Sequence, residues 1–216
     1  MNELTILIFQ IIVLIFSSVI HEISHGVMAY KLGDDTAKRM GRLTLNPLKH
    51  LDFFGSLLLP LLFIISGSKF ILGGAKPVPY NPLNLKNPKK DSALISLGGP
   101  LSNLILAVIF GVIIQLVAPF LNLKELGMGT SLLLLLNIIV FINVLLAVFN
   151  LMPIPPLDGS KILFSFLPDK YLALQNRLEQ SGMFILLIFI FFGGFVVIFP
   201  ITKIIFYLLV GKWAAL

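Results

Sequence analysis

Five apolar runs, at roughly 4–29, 51–66, 92–118, 131–152 and 182–210, leave this chain few ways to fold. A helix needs about 20 apolar residues to cross a bilayer. Four runs reach that length, and 51–66 falls short. Lipid cannot satisfy backbone polar groups, so long runs of this kind become helices. With 57% hydrophobic and 12% charged residues and a mean hydropathy of +1.00, the chain reads as an all-α membrane protein. The expected architecture is a multi-pass bundle of about four to five transmembrane helices. It forms one polytopic domain over 1–216, with a core at roughly 4–165 and a C-terminal helical segment at 182–210.

The polar minority narrows the function. The net charge of +6 comes from lysines and arginines between apolar runs, which marks membrane orientation and not nucleic-acid binding. Cysteine is absent, so disulfides, thiolate catalysis and cysteine-ligated metals are excluded. The first apolar run has no basic region before it and no small-residue cleavage site, so it reads as a retained span.

Inside that first run stand His21-Glu22-Ile23-Ser24-His25. Histidines four apart on a helix project from one face, about 40° apart around the axis. That spacing suits two of the three protein ligands of a catalytic zinc, with Glu22 beside them as general base. Such groups are costly in hydrocarbon unless they bind something or one another. His50, the one remaining histidine, follows Lys49 and precedes Asp52, and reads as an interfacial loop residue.

A third ligand has few sources among ten acidic residues. Asp158 ends the run Asn150-Leu-Met-Pro-Ile-Pro-Pro-Leu-Asp158-Gly159, directly after a long apolar segment. Pro153, Pro155 and Pro156 cannot continue a regular helix. Irregular backbone at membrane depth is tolerated where it is buried in protein or lines a cavity. Asp158 is therefore the candidate third ligand.

Together the two motifs resemble the site-2 protease family of intramembrane zinc metalloproteases. That family pairs a His-Glu-x-x-His helix with a distant Asn-x-x-Pro-x-Pro-x-Leu-Asp-Gly segment; Asn150, Pro153, Pro155, Leu157, Asp158 and Gly159 match it. Gly98-Gly99-Pro100-Leu101-Ser102-Asn103 looks like the family's middle core helix, and Ala75-Lys76-Pro77-Val78-Pro79 with Asn81-Pro82 also fits. The resemblance implies one Zn2+ per chain held by His21, His25 and Asp158, with Glu22 as base. It implies that Asn150 contacts substrate near the metal, donating to the scissile carbonyl or developing oxyanion. It is a short form, since no PDZ or CBS module fits within 216 residues. Gly98 and Gly99 read as permitting close helix packing, and Asn103 as a hydrogen bond between helices.

Topology can be reasoned without the resemblance. His25 and Asp158 share a metal only at one depth, and each lies near or beyond the C-terminal end of its apolar run. The helices over 4–29 and 131–152 then run in the same direction, so 51–66 is expected to be re-entrant. Lys31, Lys38, Arg39, Arg42 and Lys49 and the lysines of 67–91 then share the cytoplasmic side. The N-terminus falls outside, and the site in the cytoplasmic half.

The expected activity is hydrolysis of peptide bonds within or near the transmembrane segments of membrane proteins. A substrate helix has its backbone groups satisfied internally and needs local unwinding. A small β-hairpin over 69–82, turning near Gly73 and Gly74, is expected to accept the unwound strand by edge addition. Two other functions compete: a zinc peptidase acting on soluble or lipid-anchored peptides, and a metal transporter or scaffold. A transporter has no need of Glu22 as a base. The partners are the lipid bilayer and a membrane-spanning substrate, with oligomeric state left open.

Overall fold

The computed structural model describes residues 2–50, 76–121 and 127–214. Its first helix, α1 (Glu3–Lys31), starts at Asn2, whose side chain accepts the Thr5 N–H at 2.9 Å. Glu3 in the first turn and Lys31 in the last complement the helix dipole. A short α2 (Thr36–Arg39) follows. Helix α3 (Pro88–Val117) opens on proline, where the missing N–H has no partner to lose. Then come α4 (Met128–Asn150), α5 (Asp158–Phe166), α6 (Leu172–Gln180), α7 (Gly182–Phe191) and α8 (Gly194–Val210). Among the described residues, α1, α3, α4 and α8 are long and apolar enough to cross a membrane.

Helix α3 is the centre of the bundle, packed on α1, α4 and α5. Lipid tails are as apolar as leucine, so close packing of small residues and interhelical hydrogen bonds hold such helices together. Gly99, Asn103, Ala107 and Gly111 recur every fourth residue of α3, and all are buried. A Cβ on Gly111 would lie 3.2 Å from the Leu209 side chain of α8. Beyond Asn103, Ala107 and Ile114 of α3 close a core with Val140 and Val144 of α4 and Ile198 and Phe206 of α8.

Contacts fix the directions. Gly98 of α3 faces Ser24 and Met28 of α1, while Asn103 reaches back to Ser17, so α1 and α3 are antiparallel. The Asn103–Asn143 bond joins α3 to α4 midway, and 118–127 is too short to return the chain, so α4 is parallel to α1. The end of α1 and the start of α3 meet at one end, where Ala29, Leu85 and Ile95 pack together. Asp34 stitches the same end, accepting from Thr36, Asn81 and Asn84.

The C-terminal helical segment 182–210 is two helices that part at Gly193. Gly193 has φ +100°, a left-handed conformation that glycine adopts readily, whereas Pro200 stays inside α8. The hairpin over 69–82 is not supported: no strand occurs among the described residues. Pro77 and Pro79 have no N–H to give a ladder, and the Val78 N–H goes instead to Glu22. The rest of that segment, with Gly73 and Gly74, and the run 51–66, expected to be re-entrant, lie outside the described residues.

Candidate metal centre

One helical turn apart on α1, His21 and His25 point into the bundle and are 6% and 9% exposed. Their rings meet edge to face at 4.6 Å between centroids, with the two Nε2 atoms 3.1 Å apart. Asp158 Oδ2, at the start of α5, lies 3.1 Å from His21 Nε2 and 3.3 Å from His25 Nε2. Three candidate ligand atoms, the outermost from residues 137 positions apart, thus converge on one point.

The far side of each ring fixes which nitrogen carries the proton. His25 Nδ1 lies 2.7 Å from the Ile95 carbonyl, a pure acceptor, so Nδ1 donates. His21 Nδ1 lies 2.7 Å from Asn103 Oδ1. The Asn103 amide nitrogen is committed to Asn143 Oδ1 at 3.0 Å and the Ser17 carbonyl at 3.3 Å. Its oxygen therefore faces the ring, and His21 Nδ1 also donates. In the neutral imidazoles both Nε2 atoms then present lone pairs, to each other and to a carboxylate oxygen.

Three lone-pair-bearing atoms turned to one point suit a bound metal cation. Ligands about 2.0–2.2 Å from a tetrahedral zinc are separated by about 3.3–3.5 Å, close to what is found here. The residues present fit a zinc ion. Hydrogen bonding of the outer imidazole nitrogens to a carbonyl or amide is also the usual support for metal-bound histidine.

Glu22 stands beside this cluster. A carboxylate oxygen of Glu22 and a ring nitrogen from each of His21 and His25 lie within 4.8 Å of one another. That is further than the Asp158 contacts, and Glu22 Oε2 is already hydrogen-bonded to the Val78 N–H at 2.8 Å. Asn150 ends α4, partly buried, and its amide donates to the Leu146 carbonyl at 2.9 Å; no hydrogen bond links it to the cluster. The loop from Asn150 to Asp158 folds back so tightly that a Cβ on Gly159 would run into the Leu151 carbonyl. Glycine after Asp158 is thus a steric requirement of this turn.

Two residues read as packing elements belong to the centre. A Cβ on Gly99 would lie 2.5 Å from Nε2 of both His21 and His25, so the bare backbone of α3 leaves the space the cation needs. Asn103 orients His21 as well as joining helices. The four-residue spacing of Gly99, Asn103 and Ala107 was visible in the sequence, but not which helix it faced. His50 is a buried loop residue: it is 1% exposed, its Nε2 is 2.8 Å from the Thr44 carbonyl, and its own carbonyl accepts from the Lys76 N–H.

Comparison with known proteins places the chain in a family. The profile of Peptidase family M50 matches residues 122–193, the stretch holding Asn150 and Asp158. A protein of Bacillus subtilis named "Putative zinc metalloprotease YwhC" is 38% identical over 86% of this chain and 81% of its own length. "Putative zinc metalloprotease Rip2" of Mycolicibacterium smegmatis is 31% identical over 81% of this chain and 63% of its own. "Putative zinc metalloprotease MJ0611" of Methanocaldococcus jannaschii is 31% identical, covering 74% and 72%. No solved structure matches the chain. With its apolar spans and with relatives aligned over most of their lengths, this multi-pass membrane protein belongs to peptidase family M50.

Proposed function

We propose that this protein is an intramembrane zinc metalloprotease that hydrolyses peptide bonds within or near the transmembrane segments of other proteins. The observation that carries the reading is the convergence of His21 Nε2, His25 Nε2 and Asp158 Oδ2 within 3.1–3.3 Å, with both Nδ1 atoms engaged elsewhere. The relatives carry the name "Putative zinc metalloprotease", which supports zinc as the ion held here.

His21, His25 and Asp158 would hold the ion. When bound, zinc supplies Lewis acidity, polarising the scissile carbonyl and acidifying a water. Glu22 takes the proton of the attacking water on Oε1 as the hydroxyl oxygen bonds to the carbonyl carbon. When the carbon–nitrogen bond breaks, Glu22 returns that proton to the leaving amine. Asn150 has a second amide hydrogen beyond the one given to Leu146, and donates it to the developing oxyanion. Asn103 and the Ile95 carbonyl keep both rings aimed.

The basic residues Lys31, Lys38, Arg39, Lys86, Lys89 and Lys161 belong to the end where α1 finishes and α3 begins. By the positive-inside tendency that end is cytoplasmic, which puts the site in the cytoplasmic half of the membrane and the N-terminus outside. The whole chain acts as a single polytopic domain, its catalytic core spanning roughly 4–165.

The test is Glu22→Gln in purified protein, reconstituted in liposomes with a fluorophore-tagged single-span transmembrane peptide. Zinc content equal to the parent with cleavage abolished supports the reading. Cleavage that survives the substitution, or zinc flux across the liposome in its place, overturns it.

A further inference from the structure

Val78 lies between two prolines, and neither has an N–H. Its amide is the one main-chain donor in residues 77–79, and it goes to Glu22 Oε2 at 2.8 Å. The segment around it is fastened at both ends. The Lys76 N–H donates to the His50 carbonyl at 2.7 Å, and Arg42 Nη2 donates to the carbonyls of Lys76 at 2.8 Å and Pro77 at 3.4 Å. Downstream, the Asn81 N–H donates to Asp34 Oδ2 at 2.9 Å, and the Lys161 ammonium lies 5.3 Å from the centre of the Tyr80 ring. The Val78 side chain is buried against Gly26 of α1, where a Cβ would stand 2.9 Å from its Cγ1.

A buried arginine spent on two backbone carbonyls next to a proline-locked amide is a costly way to secure a loop. It is an effective way to aim one N–H. Glutamate has three rotatable bonds, and a base left free among its rotamers spends little time in line with the reacting atoms. A hydrogen bond to a charged carboxylate is among the stronger ones and holds one oxygen in place. The other oxygen, Oε1, makes no hydrogen bond among the described residues and stays available for proton transfer.

We propose that residues 76–81 form a positioning strap: the Val78 N–H, held in place by Arg42, orients the Glu22 carboxylate for catalysis. The inference rests on Glu22 being the general base. Arg42 acts through the strap and touches neither substrate nor metal.

Val78→Pro removes the N–H from a segment already flanked by prolines, whereas Val78→Ala keeps the N–H and loses the side-chain packing. With the tagged single-span peptide in liposomes, kcat of Val78→Pro falls at least about tenfold below that of Val78→Ala, with KM within about twofold. Zinc stays bound in both. Arg42→Lys, which keeps one donor for the Lys76 carbonyl, recovers part of the kcat lost in Arg42→Ala. Equal kcat in the two Val78 variants, or higher kcat in the proline variant, overturns the strap while leaving the base in place. Zinc loss confined to Val78→Pro overturns it too, since the strap would then hold the metal ligands. Activity surviving in Glu22→Gln overturns the reading beneath it.

Discussion

Gly99 lies against His21 so closely that a Cβ would stand 2.5 Å from the ring's Nε2 and 2.6 Å from its Cε1. The same Cβ would be 2.5 Å from His25 Nε2. The missing side chain is therefore part of the metal centre, since the space it leaves is where the lone pairs meet. Gly99→Ala is expected to lose most of its zinc while keeping the helical content of the parent. Gly98→Ala, whose Cβ meets the Ser24 carbonyl at 3.1 Å, loosens the contact of α1 with α3 and lowers the unfolding temperature. It keeps its zinc. Metal analysis and circular dichroism of the two purified variants distinguish these outcomes.

Asn103 tests the support behind His21. Alanine there leaves the buried His21 Nδ1–H and the Asn143 oxygen without their partner. Zinc affinity is expected to fall by roughly 10–100-fold, the usual cost of removing such a support. Asn103→Asp keeps an acceptor for the ring and should bind zinc more tightly than Asn103→Ala. Competition against a chromophoric chelator measures both. Unchanged affinity in the alanine variant would show that His21 needs no orienting partner.

The shared ligand set makes a simpler demand. The purified parent is expected to carry close to one zinc per chain, and His21→Ala and Asp158→Ala to carry almost none. Retention of zinc in Asp158→Ala would assign the third ligand elsewhere, with Glu22 the nearest carboxylate.

Asp34 sits outside the membrane spans and gives the fold a pH dependence of known sign. Burial pushes this carboxyl up, but hydrogen bonds from Thr36, Asn84 and Asn81 outweigh it and hold the group below its ordinary value. A carboxylate depressed in the folded state stabilises the fold above its unfolded pKa of about 3.9, and that contribution is lost as pH falls through the folded value. Thermal unfolding in detergent should show the parent losing stability on acidification below about pH 4. Asp34→Asn should start lower at neutral pH and lose less over that acid range. A steeper acid limb in the variant would contradict this.

Local chemistry carried much of this protein. The lengths of the apolar runs placed α1, α3 and α4 within a few residues, because a bilayer imposes its thickness on any helix that spans it. The i, i+4 spacing put His21 and His25 on one face before any neighbour was known, and the prolines before Asp158 marked a helix end, whereas the need for glycine at 159 came from the fold. The expected hairpin finds no support in the described part of its segment, for an equally local reason. Residues around Gly73 and Gly74 have strand-like composition, but Pro77 and Pro79 deny the ladder its donors.

Spacing along one helix is a property of the chain, whereas contact between helices depends on register. The sequence by itself determined a helical membrane protein, a pair of imidazoles on one face and a carboxylate able to join them. Only the tertiary structure decided that Gly99 faces the metal side of those imidazoles, that Asn103 turns its oxygen to His21, and that Val78 delivers its amide to Glu22. Sliding α3 by one residue against α1 turns Gly99 and Asn103 by about 100° and breaks both of their contacts with the imidazoles. No pattern within either segment fixes that alignment; it is set by how the small residues of α3 nest against α1, α4 and α8.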